Sequence, residues 1–400
     1  MKVVCAGGGP ASLYLAILLK LQDRDRDITV HERNPEGSTY GWGVTYWPDM
    51  LDTLRAHDQV SARAIEEHSV RWSDGVAHVG GRTTVHHGDE GFAIGRHQLL
   101  RILAERASSL GVEVRFGHPV APGDPALDGD LVVAGDGARS VLRDQHAEHF
   151  GTRVVSGRNR FIWLGTTKVF RSFTFAFVET GHGWLWCYAY GFDGEHSTCI
   201  VECSPGTWTG LGLDTMDRDA ALRLLEKLLA EPLQGHELIG RTDVDGPSQW
   251  QQFRTVTNRV WSHGNLVLLG DAAHTTHYSI GAGTTLAMQD AMALARALEG
   301  SAPLASALGH YEQVRRRELL PLQSAARHSA GWYENLTRYI HLEPHQMFAL
   351  LGQRHSPLLP YVPPQLYYRV DRAVDRTQAL RSLKRWLGHR VARIFQNQNK

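Results

Sequence analysis

Three stretches rich in glycine and aspartate hold the residues whose types and spacing can do chemistry. The first is Gly7-Gly8-Gly9-Pro10-Ala11-Ser12, with Glu32 and Arg33 further along. Gly7 permits a sharp turn, and Gly9 permits close approach of a pyrophosphate to the backbone. Behind the turn, Leu13, Leu15, Ala16, Leu18 and Leu19 mark a helix whose N-terminal dipole favours the negative phosphates, and Glu32 can accept hydrogen bonds from a ribose. Ser12 stands where a third glycine usually allows close helix–strand packing. The chemistry expected of this stretch is dinucleotide binding. An ordinary glycine loop in a parallel-sheet protein is the alternative.

The second stretch, Gly135-Asp136-Gly137-Ala138-Arg139-Ser140, follows an apolar run, Leu131–Ala134. A strand that ends on glycine and aspartate delivers the carboxylate to the crevice at the sheet's carboxyl edge. Arg139 and Arg143 favour that reading over a plain Asp-Gly turn. The third stretch begins at Gly270-Asp271 and continues through His274, His277 and Tyr278 to Gly281-Ala282-Gly283-Thr284-Thr285. Free backbone N–H groups at the helix start that follows can hold a ring carbonyl or a developing negative charge. Arg96 opens another helix after Gly95. Positive charge is disfavoured there unless an anion or carbonyl compensates.

These residues need a sheet edge to stand on. Short apolar runs at 2–6, 28–31, 130–134 and 265–269 read as buried parallel strands, 112–116 alternates like a strand, and 13–19, 96–103 and 284–299 repeat at helical spacing. From about residue 152, aromatic and β-branched runs separated by short turns (161–164, 173–178, 184–190, 197–203) predict an antiparallel sheet. The expected class is α/β, or α+β overall: a Rossmann-like nucleotide-binding domain in three parts (1–72, 95–151, 263–330). An antiparallel-sheet substrate domain (73–94 and 152–262) is inserted in it, and a C-terminal helical region (331–400) follows. A helix is expected near 304–319. Residues 377–395, with Arg381, Lys384, Arg385, Arg390 and Arg393 among leucines, predict a capping helix with a solvated basic face.

Composition narrows the class. Basic and acidic residues number 42 each in 400, so no global field draws the chain to nucleic acid. The four cysteines lie in apolar surroundings without CxxC spacing, which predicts reduced thiols and a cytoplasmic location. No apolar run approaches the roughly 20 residues of a membrane span. The His86-His87 pair sits in a polar, glycine-rich loop and reads as solvated, so no metal site is expected.

In this order and at these separations, the three stretches resemble the class A flavoprotein monooxygenases, aromatic hydroxylases with the p-hydroxybenzoate hydroxylase fold. The resemblance implies FAD in the nucleotide-binding domain, held by Gly7, Gly9, Pro10, Ala11, Ser12, Glu32 and Arg33 at the AMP end. It implies Arg96, Asp136, Gly137, Gly270 and Asp271 along the cofactor, and Gly43, Val44, Gly281, Gly283, Thr284 and Thr285 toward its ring. NADH or NADPH would reduce the flavin, and O2 would then give a flavin hydroperoxide that oxygenates an electron-rich ring. Gly41-Trp42-Gly43-Val44, Phe161–Thr166, Ile200–Ser204 and His277–Gly281 are similar to a subgroup of this family. It contains salicylyl-CoA 5-hydroxylase, anthraniloyl-CoA monooxygenase and the violacein-pathway hydroxylase.

The implied substrate is a small aromatic molecule, foremost an aryl-CoA thioester. A free aromatic or indole intermediate is the alternative. Trp42, Trp163, Tyr188 and His277 are expected to contact it, and His277 and Tyr278 to handle its proton; monomer and homodimer both stay open. A flavin halogenase is a rival reading, since Trp184-Leu185-Trp186 resembles that class's Trp-x-Trp, but Tyr188-Ala189 replaces the Ile-Pro that should follow. A non-catalytic scaffold is disfavoured by intact glycines and aspartates in all three stretches.

Overall fold

The structure is a computed structural model, and it describes residues 1–38, 41–241 and 249–375. The basic segment 377–395 lies outside the described residues. Six strands form the first sheet, in the order Ser262–His263, Leu266–Leu268, Leu131–Ala134, Lys2–Ala6, Asp27–His31, Glu113–Arg115. All its pairings are parallel except the first. The helices Pro10–Gln22, Arg96–Ser109 and Gly283–Ala297 contribute buried residues to the core built around it, together with Val3, Val30, Val133 and Leu268. Strands buried in this way read as continuous apolar runs, which is why they were legible.

The second sheet has eight strands in the order Leu238–Ile239, Arg160–Thr166, Ser197–Cys203, Gly183–Gly191, Phe173–Thr180, Val70–Val79, Arg82–Gly95, Gly43–Tyr46. It is antiparallel except where Phe173–Thr180 runs parallel to Val70–Val79. Alternation along the strands splits their side chains between two faces. One face carries Leu185, Cys187 and Val201 against the helix Arg218–Leu228. The other carries Phe175, Phe177, Trp186 and Tyr188 against Trp332, Tyr333 and Met347 of the C-terminal helices. A two-stranded ribbon, Arg153–Ser156 with Arg254–Thr257, completes the strand set.

One helix differs from expectation. It runs from Leu304 to Glu334, past the expected end near 319 and through Pro321. A proline inside a helix removes one hydrogen bond and crowds the preceding turn. Here the continuation is held by burial of Leu319, Ser324, Ala326, Ser329, Trp332 and Tyr333. Packing of that face outweighs the local penalty.

Candidate active site

A cavity of about 1150 Å³ runs from the first glycine turn to the large sheet. At one end it is lined by Gly9, Pro10, Ala11, Gly135 and Gly137, and along its length by Arg96 and Asp271. Gly43, Val44, Gly281, Gly283 and Thr284 lie further on, and Trp163, Phe175, Tyr188 and Tyr278 form an aromatic chamber. Gly7, Ser12, Glu32, Arg33, Asp136, Gly270, Thr285, Trp42 and His277 are not among the lining residues.

The residues outside the lining hold its walls. Gly7 has φ +93°, and a Cβ there would lie 2.5 Å from Gly135 O, so only glycine makes this turn. Glu32 Oε2 accepts the Gly8 N–H at 2.7 Å, and its Oε1 accepts from the backbone and side chain of Asn34. Arg33 is exposed. The missing third glycine is compensated from the opposite side: a Cβ on Gly135 would fall 2.1 Å from Ser12 Oγ. Asp136 Oδ2 accepts the Val141 N–H at 2.8 Å, which ties the turn to the helix Val141–Gln145. Burial raises the Asp136 carboxyl above its usual range.

The cavity fits FAD. Cβ atoms built on Gly137 and Gly283 would meet nothing within 4 Å, and one on Gly9 only Gly135 O at 4.0 Å. These glycines therefore keep space open along the cavity instead of serving protein packing. The helix from Gly283 starts without a side-chain cap, so no side chain occupies its first N–H groups. Asp271 is open to the cavity, yet the protein around it desolvates its carboxyl and raises its pKa, an effect opposed by the charges of His274 and Arg96. It can accept from cofactor hydroxyls there. His274 is buried, stacks on Trp261 and bonds Asp290 at 2.8 Å.

The aromatic chamber follows one row of register. Trp163 faces Ile200, Ile200 faces Tyr188, and Tyr188 faces Phe175 across neighbouring strands. All four line the cavity. Trp42 instead packs over the second sheet, where a Cβ on Gly165 would lie 2.7 Å from its ring. Next to this row stands a residue that the sequence analysis did not single out. Glu202 is 1 % exposed and accepts three hydrogen bonds: from Asn159 Nδ2 at 2.7 Å, from the Tyr188 hydroxyl at 2.6 Å and from the Tyr278 hydroxyl at 2.8 Å. Burial raises its carboxyl pKa, against the donors, which favour the charged form. The available signal was a lone acid in Ser197–Cys203, a strand buried along its whole length.

His277 lies outside the chamber, its ring 4.8 Å from Phe253, with Nδ1 2.9 Å from Ser279 Oγ. Ser279 Oγ meets Ser329 Oγ at 2.7 Å, and Arg354 donates to Ser329 Oγ and to Ser279 O. Burial and the Arg354 charge push the His277 imidazole down to about 3. Among the described residues there is no cluster of three or more His, Cys, Asp or Glu fit for a metal, and no helix is long and apolar enough to cross a membrane.

A nucleotide-binding sheet and an aromatic chamber sharing one cavity define an FAD-dependent monooxygenase. The chain belongs to the FAD binding domain family, which matches residues 1–318. It is 40% identical over 351 residues to a salicyloyl-CoA 5-hydroxylase of Streptomyces sp, spanning 85% of this chain and 66% of that protein. It is 37% identical to a 3-hydroxy-4-methyl-anthranilyl-[aryl-carrier protein] 5-monooxygenase of Streptosporangium sibiricum, over 84% of this chain and 90% of that one. Protodeoxyviolaceinate monooxygenase of Chromobacterium violaceum is 29% identical over 94% of this chain and 100% of its own. Among solved structures, 2-methyl-3-hydroxypyridine-5-carboxylic acid oxygenase shares the fold, with a TM-score of 0.68, 17% identity and coverage of 90% of this chain and 98% of that one.

Proposed function

We propose that this chain hydroxylates an electron-rich aromatic ring presented as a thioester such as salicyloyl-CoA, using O2 with NADH or NADPH as reductant. The observation that carries the ring chemistry is the pair of tyrosine hydroxyls, Tyr188 and Tyr278, that line the chamber and share the buried Glu202, and the thioester is supported by the 40% and 37% identical relatives. FAD would be held by the turn at Gly9–Ala11, by Arg96 and Asp271, and by the helix start at Gly283–Thr284. Bound there, it supplies electron storage and oxygen activation.

The protein's own part is to orient the ring and accept its proton. Each tyrosine spends its single proton on Glu202. The Tyr188 oxygen already accepts the Trp186 indole N–H at 3.1 Å. The Tyr278 oxygen is therefore the better placed to accept the hydroxyl or amino hydrogen of the substrate. A proton entering at Tyr278 passes to Glu202, whose burial favours the protonated carboxyl. Withdrawing that proton enriches the ring that is to be oxygenated. The aromatic row at Trp163, Tyr188 and Phe175 excludes water from the reacting face. His277, neutral and bonded to Ser279, orients the 277–279 turn.

The test is NADH and NADPH consumption with product analysis against salicyloyl-CoA, anthraniloyl-CoA, free salicylate and tryptophan-derived indoles. Turnover of thioesters alone is expected. Turnover of free acids without thioesters would overturn the thioester reading, and turnover of indoles alone would favour the indole hydroxylase.

A further inference from the structure

A second cavity, of about 420 Å³, lies against the last turns of the helix Leu304–Glu334 and is also lined by Leu359 and Pro360. Arg327, His328, Arg338 and Arg354 line it, and no carboxylate does. Three of these side chains are already fixed, and burial lowers the His328 pKa, which favours its neutral form. Arg338 donates to Val362 O at 2.8 Å, and His328 Nδ1 lies 2.7 Å from Ser324 O. Arg354 is held by Leu351 O, Ser279 O and Ser329 Oγ.

Arg327 is different. It has no hydrogen bond or ion pair among the described residues. Its side chain is exposed, and the protein around it lowers its pKa from the ordinary value. Three guanidinium groups around a cavity with no carboxylate can receive an anion, and the planar fork of arginine matches phosphate. Arg354 belongs to the walls of both cavities, so the basic pocket and the aromatic chamber share one side chain.

We infer that the basic pocket takes the phosphate end of a pantetheinyl thioester whose aryl group occupies the chamber at Tyr278. This inference rests on the thioester reading above. The aryl group alone uses only the chamber; the pantetheine arm would pass Arg354, and Arg327 and Arg338 would meet the phosphate. Coenzyme A and a carrier-protein prosthetic group share that phosphate chemistry.

Calorimetry on the full FAD-loaded protein with CoA, dephospho-CoA and 4′-phosphopantetheine tests the site, with Arg327→Gln and Arg327→Glu as variants. CoA is expected to bind, tenfold or more weakly to R327E, with R327Q between the two and the flavin absorbance unchanged. Tighter binding of CoA than of phosphopantetheine identifies free CoA as the source. Equal binding identifies the carrier-borne group. Unaltered CoA affinity in R327E, or weakened NADPH binding in its place, overturns the inference. Turnover of salicyloyl-CoA and of salicyloyl N-acetylcysteamine by the unaltered protein separates the two readings. No turnover of either removes the thioester function itself. Turnover of both with the same KM removes only the phosphate pocket, and a KM at least tenfold lower for the CoA thioester supports it.

Discussion

The Tyr278 hydroxyl and Glu202 Oε2 lie 2.8 Å apart across 76 residues of chain, one on the turn beside the predicted flavin ring and the other inside the substrate sheet. The contact links the two halves of the molecule at the point where the reacting ring would sit. Because Glu202 has no cation among its hydrogen-bond partners, its charge is held by neutral donors alone. That makes it a poised proton acceptor.

Glu202→Gln keeps the size but replaces one acceptor oxygen with an NH2 donor, and it cannot take a proton. We expect kcat to fall on the order of 10²-fold with FAD content unchanged, in keeping with the worth of a positioned general base. The sign in pH follows from the raised carboxyl: the wild-type acceptor is active above its pKa, so activity declines on the acid side. That acid limb should be missing from the variant's kcat profile. An unchanged profile would remove Glu202 from the proton path.

Ser12 and Gly135 form a second reciprocal pair. Gly135→Ala would place a methyl 2.1 Å from Ser12 Oγ and should cost about 1–3 kcal/mol through overpacking. Ser12→Ala removes a buried hydroxyl that has no hydrogen-bond partner among the described residues and should be neutral or stabilising. Ser12→Gly should recover part of the Gly135→Ala loss. Thermal midpoints of the four proteins, with and without added FAD, would show it; additive losses in the double variant would refute the pairing.

The same pair marks what was legible in the sequence. The Gly7–Ser12 turn and its strand–helix–strand frame are dictated by local backbone requirements, so spacing revealed them. Gly135 as the counterweight to Ser12 depends on which strand lies beside which. Glu202 was hidden for a related reason: a carboxylate in a buried strand shows its purpose only when register sets Tyr188 on the same strand pair and a distant turn brings Tyr278. Trp42 and His277 carried suitable chemistry, but both stand behind residues that line the cavity, His277 against Phe253 and Tyr278 and Trp42 in the cluster of Trp72 and Tyr190.

His277 gives a pH prediction of definite sign. Its folded pKa of about 3 lies below the unfolded value of roughly 6.5. Between those limits the unfolded chain binds the extra proton, so stability falls as pH drops from about 6.5 toward 3, by at most ~1.4 kcal/mol per pH unit. His277→Gln should flatten that part of the slope. Urea midpoints at several pH values would test it, and parallel slopes in both proteins would show that the imidazole does not titrate this way.

Asp290 makes the strongest demand on the core. It is fully buried on the helix Gly283–Ala297, whose first turn lines the cavity, and it accepts from Arg315 Nε at 2.7 Å while meeting His274 at 2.8 Å. Burial would raise its carboxyl, but the charges and hydrogen bonds of His274 and Arg315 outweigh that and hold it below the usual range. The carboxylate therefore contributes stability above its unfolded pKa of about 3.9, lost as pH falls through the folded value. Arg315→Met would leave that charge against His274 alone and should cost about 3–5 kcal/mol. Pairing it with Asp290→Asn should cost less than the single change, because no uncompensated charge remains. Since Asp290 and His274 join the cavity-lining helix to the Asp271 turn, Arg315→Met should also weaken FAD retention, read as flavin released on gel filtration. If the double variant is no more stable than Arg315→Met, the cost lies in lost packing of the arginine stem and not in the stranded charge.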